Sequence, residues 1–159
     1  MTTIERRMAN PAQILPGAYQ GIARLLGAIG EGGVPTPTLE LAALRASQIN
    51  GCSACAQGHL EALQAEGVAL EKIVGVAAWG ESPYFDDAER AALALTDALT
   101  RMADSHDAVP DELWREVTKH YDERQAAALL LQIALLNLFN RVNVAVREPA
   151  DDPSWKRSA

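Results

Sequence analysis

Apolar residues recur at three- and four-residue spacing through most of this chain, which is the period of amphipathic helices. The first clear stretch follows Pro16, where Tyr19, Ile22, Leu26 and Ile29 share one face up to the glycine-rich break at 30–33. A second helix opens at Thr36-Pro37, with the threonine as N-cap and the proline in the first turn, and it fails at Asn50-Gly51. It carries Glu40, Leu41, Leu44 and Ser47. A third begins at Cys52, runs through Ala54, Ala56, His59, Leu60, Ala62 and Leu63, and is closed by Gly67.

Residues 70–79 predict a short helix. Asp86 with Glu89 three positions on reads as a capping box for a helix reaching about residue 102. Val109-Pro110-Asp111 starts an amphipathic helix through Leu113, Trp114 and Val117, and Asp122 caps a long last helix to about Val146. The pattern gives seven helices and no convincing strand, hence an all-α fold. One domain is expected over 15–148, with an N-terminal arm at 1–14 and a mobile tail at 149–159. Over 126–136 the last helix is apolar around much of its circumference, more than one core stripe requires. Burial on two sides, by the domain and by another copy of the chain, is the expectation.

Composition agrees with this reading. At 159 residues the chain has the size of one domain, and its content is 48% hydrophobic but only 5% aromatic, which favours helices over sheets. The net charge is -7 and the 14 Lys and Arg are scattered, so neither nucleic acid nor an anionic membrane is an expected partner. Arg6 and Arg7 have no apolar stretch behind them, so no secretory signal is read and a cytoplasmic location is expected. The apolar run at 126–139 is interrupted by Gln132 and Asn137, short of the roughly 20 residues that span a membrane.

The chemistry sits at the start of the third helix. Cys52 and Cys55 are the only 2 cysteines, and in a reducing compartment a pair spaced C-x-x-C poses redox catalysis or metal binding rather than a structural staple. On a helix starting near Cys52, a rotation of about 100° per residue places Cys55 and His59 on the same face. A free thiol has a pKa of about 8.5, whereas the nucleophile is the thiolate. The helix N-terminus favours the anion, and His59 one turn beyond Cys55 can accept its proton. Cys55 is therefore the expected attacking sulfur and Cys52, one turn back, the resolving thiol.

The stretch 40–59, E-(x)7-Q-x-N-x-C-x-x-C-x-x-x-H with Glu40, Gln48, Asn50, Cys52, Cys55 and His59, resembles the signature of the alkylhydroperoxidase D-like (AhpD-like) branch of the carboxymuconolactone decarboxylase family. A looser likeness continues through Trp79, Ser82, Phe85, Glu89-Arg90-Ala91 and Asn140-Arg141-Val142-Asn143. The resemblance implies an all-helical subunit assembling into trimers or hexamers. It implies that Cys55 attacks a hydroperoxide, with Cys52 as proton donor and resolving thiol. Glu40 then joins a proton relay to His59, where a carboxylate would fix the imidazole tautomer and favour its protonated form. No cofactor is implied, and an external dithiol of the thioredoxin or lipoyl type must reset the disulfide.

Other readings of the same residues stand beside this one. Cys52, Cys55, His59 and Glu40 are all legitimate zinc donors, but a zinc site usually takes further ligands from a second paired motif. Covalent haem attachment needs a histidine directly after the second cysteine, where Ala56 stands. Cys52 and Cys55 could also be small buried apolar residues, against which His59 and the Asn50-Gly51 break argue. Lactone decarboxylation, the other branch of the resembled family, does without the cysteine pair. A non-enzymatic module that senses redox state or holds a metal is the rival from another class. His106 and His120 are assigned no role, Trp79 and Trp114 are read as packing residues and Trp155 as a tail residue, and the glycines at 30–33 lack the strand a nucleotide fingerprint requires.

Overall fold

The computed structural model describes residues 5–156. Its order is α1 (Pro11–Ile14), α2 (Ala18–Gly30), α3 (Thr36–Ile49), α4 (Ser53–Ala65), α5 (Leu70–Gly75), α6 (Asp87–Thr100), α7 (Asp111–His120) and α8 (Glu123–Val146), with 3-10 turns at Val76–Ala78, Met102–Asp104 and Ser154–Lys156. Among the described residues there is no strand, as the helical period predicts. The count exceeds the expected seven by α1, a single turn too short to leave a periodic trace. Its start is nonetheless capped, since Ala12 N–H donates to Asn10 Oδ1 at 3.0 Å.

The helix ends follow local chemistry. Asp86 and Glu89 form the expected capping box on α6, and Asp122 forms one on α8 with Gln125. Thr36 is the first residue of α3 rather than its cap; Pro35 takes that place. Gly51 and Gly67 stand in the left-handed region at φ 68° and 75°, where a side chain would be strained. Gly51 turns the chain so sharply that Cys52 N–H still bonds Ser47 O on α3 while Cys52 itself caps α4.

By length and composition α8 is apolar enough to cross a membrane. Here it is the helix on which α2, α3, α4, α6 and α7 pack. Leu95, Val117, Leu129 and Ile133 fill the core on one side of it, and Leu41, Leu44, Leu63, Ile73, Val76 and Leu93 fill a second cluster between α3, α4, α5 and α6. Ala43 and Ala46 against Leu136 let α3 approach α8 closely. Gly32 does the same at the end of α2, where an added methyl would lie only 2.3 Å from Ala128 Cβ. Arg45 on α3 clamps Asp97 on α6 through two bonds of 2.5 and 2.8 Å.

The described parts of the arm (5–14) and tail (149–156), read from sequence as lying outside the domain, are placed against it. Arg7 N–H reaches Val146 O at 2.8 Å, and Arg6 grips the buried carboxylate of Glu148 at 2.8 and 3.2 Å. Ser154 N–H donates to the same carboxylate, and Lys156 pairs with Glu61 on α4. These bonds hold the tail along the middle of α4, near Gly58 and Glu61.

Candidate active site

Cys52 and Cys55 meet at the N-terminus of α4. Both sulfurs are buried, at 3% and 5% exposure, and they are joined in a disulfide. Cys52 caps the helix, its sulfur accepting from Cys55 N–H at 3.3 Å. The first turn of the helix thus directs a backbone N–H at the Cys52 sulfur, and Cys55 stands in the same turn at the positive end of the helix dipole, an environment that favours a thiolate.

One turn beyond Cys55, His59 Nδ1 lies 2.7 Å from Glu40 Oε2 on α3. With Nδ1 engaged by the carboxylate, Nε2 is the nitrogen that can exchange a proton with a reacting group. Glu40, His59 and Cys55 line one cavity of about 430 Å³. Cys52 is not among its lining residues, so the second cysteine is the one a small molecule reaches. All four residues read from the sequence are thus brought together, three on the cavity and Cys52 behind them. Among the described residues no group of three His, Cys, Asp or Glu is arranged to hold a metal ion.

The remaining wall is mostly apolar. Ile22 and Leu26 come from α2, Leu136 and Phe139 from α8, and Trp155 from the tail, with Tyr19 at the rim and Asn143 at the floor near Cys55. The α3 side is braced by a polar cluster, in which Asn50 donates to Asn137 at 3.0 Å and lies 2.9 Å from the Asn140 amide. That cluster fixes the break before Cys52 against α8.

The signature read at 40–59 falls within a match to the carboxymuconolactone decarboxylase family that extends over residues 16–98, from α2 to α6. The chain belongs to the carboxymuconolactone decarboxylase family. An uncharacterized relative, YdfG of Bacillus subtilis, is 37% identical over 109 residues, which are 69% of this chain and 73% of that one. A crystal structure from Agrobacterium tumefaciens, of a protein of unknown function and a candidate antioxidant defence protein AhpD, superposes with a TM-score of 0.83 at 28% identity, over 91% of this chain and 97% of that one. A debrominase solved with 2,3,4-tribromopyrrole shares the fold at 24% identity and a TM-score of 0.74, over 85% of this chain and 71% of that one. Within the family the chain takes the AhpD-like form, and membership supports an enzymatic function of the peroxidase or decarboxylase-like kind.

For this family member, sequence reasoning missed Asn10 and Trp155 as cavity residues, because each reaches the site from a segment with no pattern of its own, and it read Tyr19 only as part of a helix face. Asn143 left a readable trace. Asn137, Asn140 and Asn143 recur every three residues on a helix that is otherwise apolar, and all three are buried. Amides buried at that spacing must serve polar partners.

Proposed function

We propose that this chain is a thiol-dependent peroxidase of the alkylhydroperoxidase type. Cys55, as thiolate, attacks one oxygen of a hydroperoxide; an S–O bond forms as the O–O bond breaks. The departing alkoxide takes a proton delivered through His59 and Glu40, leaving an alcohol and a sulfenic acid. The Cys52 thiol then attacks the sulfenic sulfur, expelling water and closing the disulfide. An external dithiol of the thioredoxin or lipoyl type returns both sulfurs to thiols, work suited to the reducing cytoplasm.

The observation that carries this reading is the shared cavity of Cys55, His59 and Glu40, with Cys52 bonded behind it. A thiol reactive enough to attack a peroxide needs an accessible sulfur, a nearby base and a second thiol, and these residues supply them. Assembly with further copies is part of the same reading, supported by Leu131 and Leu138, seven residues apart on one face of α8 and exposed at 45% and 46%.

Its test is to mix the reduced protein with hydrogen peroxide, tert-butyl hydroperoxide and cumene hydroperoxide and follow free thiols. Loss of both thiols per chain in step with peroxide consumption is expected. Thiols that persist in excess peroxide, or a peroxide that survives a stoichiometric excess of reduced protein, would refute it.

A further inference from the structure

Besides Cys52, the Cys55 sulfur has a polar neighbour that the reaction scheme leaves unused. Asn143 Nδ2 on α8 lies 3.4 Å from Cys55 Sγ, and the side chain is buried, at 6% exposure. Its Oδ1 is 3.1 Å from Asn10 Nδ2, so the amide is turned to direct its N–H groups toward the sulfur. Asn10 is held in turn by its own Oδ1, which accepts from Ala12 N–H as the cap of α1. The chain of contacts runs from the first helix of the protein to the reacting atom.

A disulfide sulfur is a weak acceptor, and burying an amide beside it gains little. A thiolate sulfur is an anion, and a buried N–H aimed at it is a charge-assisted bond worth much more. The arrangement therefore discriminates between the two states of Cys55 in favour of the anion. Cys55 is itself only 5% exposed, so little solvent contacts it to supply that stabilisation instead.

We propose that Asn143 is a catalytic residue that donates a hydrogen bond to the Cys55 thiolate, and that Asn10 is a positioning residue that fixes the direction of the Asn143 amide. This rests on the reading of Cys55 as the nucleophile. It makes the acidity of Cys55 the joint property of the α4 N-terminus, His59 and α8. It also makes the α1 turn part of the site, although α1 contributes no charged group to it.

The test uses the full chain with Cys52→Ser, which leaves one thiol, and follows iodoacetamide alkylation against pH. Adding Asn143→Leu should move the midpoint of that profile upward by about one pH unit, the loss of one bond to an anion, and slow alkylation at neutral pH roughly tenfold. Adding Asn143→Asp, nearly the same shape but anionic, should move it further. Asn10→Asp keeps the acceptor that caps α1 but withdraws the N–H given to Asn143, and should produce a smaller shift in the same direction. Circular dichroism identifies any variant that fails to fold, and the two aspartate variants then decide alone. Midpoints that stay at the parent value in the folded variants would overturn the proposal. A shifted midpoint in a protein that consumes no peroxide would uphold Asn143 as the donor while removing the peroxidase reading.

Discussion

Glu40 Oε2 and His59 Nδ1 stand 2.7 Å apart, joining α3 to α4 directly above the cysteine motif. The bond fixes which imidazole nitrogen faces the chemistry, so the two residues should behave as one unit in mutation. His59→Ala should slow peroxide consumption near neutral pH by about 10²–10⁴-fold, the usual contribution of a general base. Glu40→Gln keeps an acceptor for Nδ1 but not the charge, and should cost less. Combining the two should add little to His59→Ala alone. Both defects should shrink at alkaline pH, where solvent deprotonates the thiol. Rates of thiol loss across pH check this, and a defect that stays constant across the range would show that the pair acts other than as a base.

The cavity reaches Cys55 and leaves Cys52 behind it, so the two serine variants should differ in kind. Cys55→Ser should abolish peroxide consumption. Cys52→Ser should permit one oxidation and stop at a sulfenic acid, because the thiol that would capture it is gone. Trapping with a cyclic diketone followed by mass spectrometry should find the adduct on Cys55. Turnover by the Cys55 variant would reverse the two roles.

The fold and the reactive motif were legible because both are local. Helical period, the capping box at Asp86, the cap at Asp122, and the Gly51 and Gly67 breaks each depend on residues within one or two turns, and the structure has all of them. Cys55 and His59 share one helix, so a rotation of about 100° per residue was enough to align them, and Cys52, read as the start of that helix, stands one step outside it as its cap. Glu40 lies on a different helix, and only the family resemblance selected it. Trp155 and Asn10 are brought to the cavity by the ion pairs of Glu148 and Glu61 and by the cap of α1, contacts between distant segments that no local pattern encodes.

Tyr121 predicts an alkaline limit to stability. It is buried, its hydroxyl donates to Ala88 O at 2.7 Å, and burial first, then the charges of Asp86 and Glu89, push its pKa well above the ordinary value. A raised folded-state pKa means that the unfolded chain ionises first. The stabilisation is thus intact below the ordinary tyrosine value of about 10 and is lost as pH climbs beyond it. Tyr121→Phe should cost about 1 kcal/mol near pH 8 through loss of the hydroxyl bond to Ala88 O, and lose less than the wild type between pH 8 and 11. Urea unfolding at the two pH values measures both effects; parallel losses in the two proteins would assign the alkaline limit to other groups.

Trp155 should set how well the site holds bulky substrates. The tail carries it to the cavity wall, where its ring lies beside α4, at ordinary contact distance (3.8 Å from Cζ2) from where a methyl group on Gly58 would sit. Gly58 and the indole line the same cavity as Cys55, one turn along α4 from it. The indole touches no reacting atom, so its contribution is apolar contact with whatever substituent the hydroperoxide carries. Trp155→Ala should therefore raise KM for cumene hydroperoxide several-fold, roughly the loss of 1 kcal/mol of apolar burial, and leave kcat near its original value. Hydrogen peroxide has no substituent to lose contact, and its kcat/KM should hardly change. Steady-state kinetics with a dithiol reductant compares the two oxidants directly. If both substrates lost kcat/KM to the same degree, the tail would be supporting the geometry of Cys55 and His59 rather than forming part of the substrate wall.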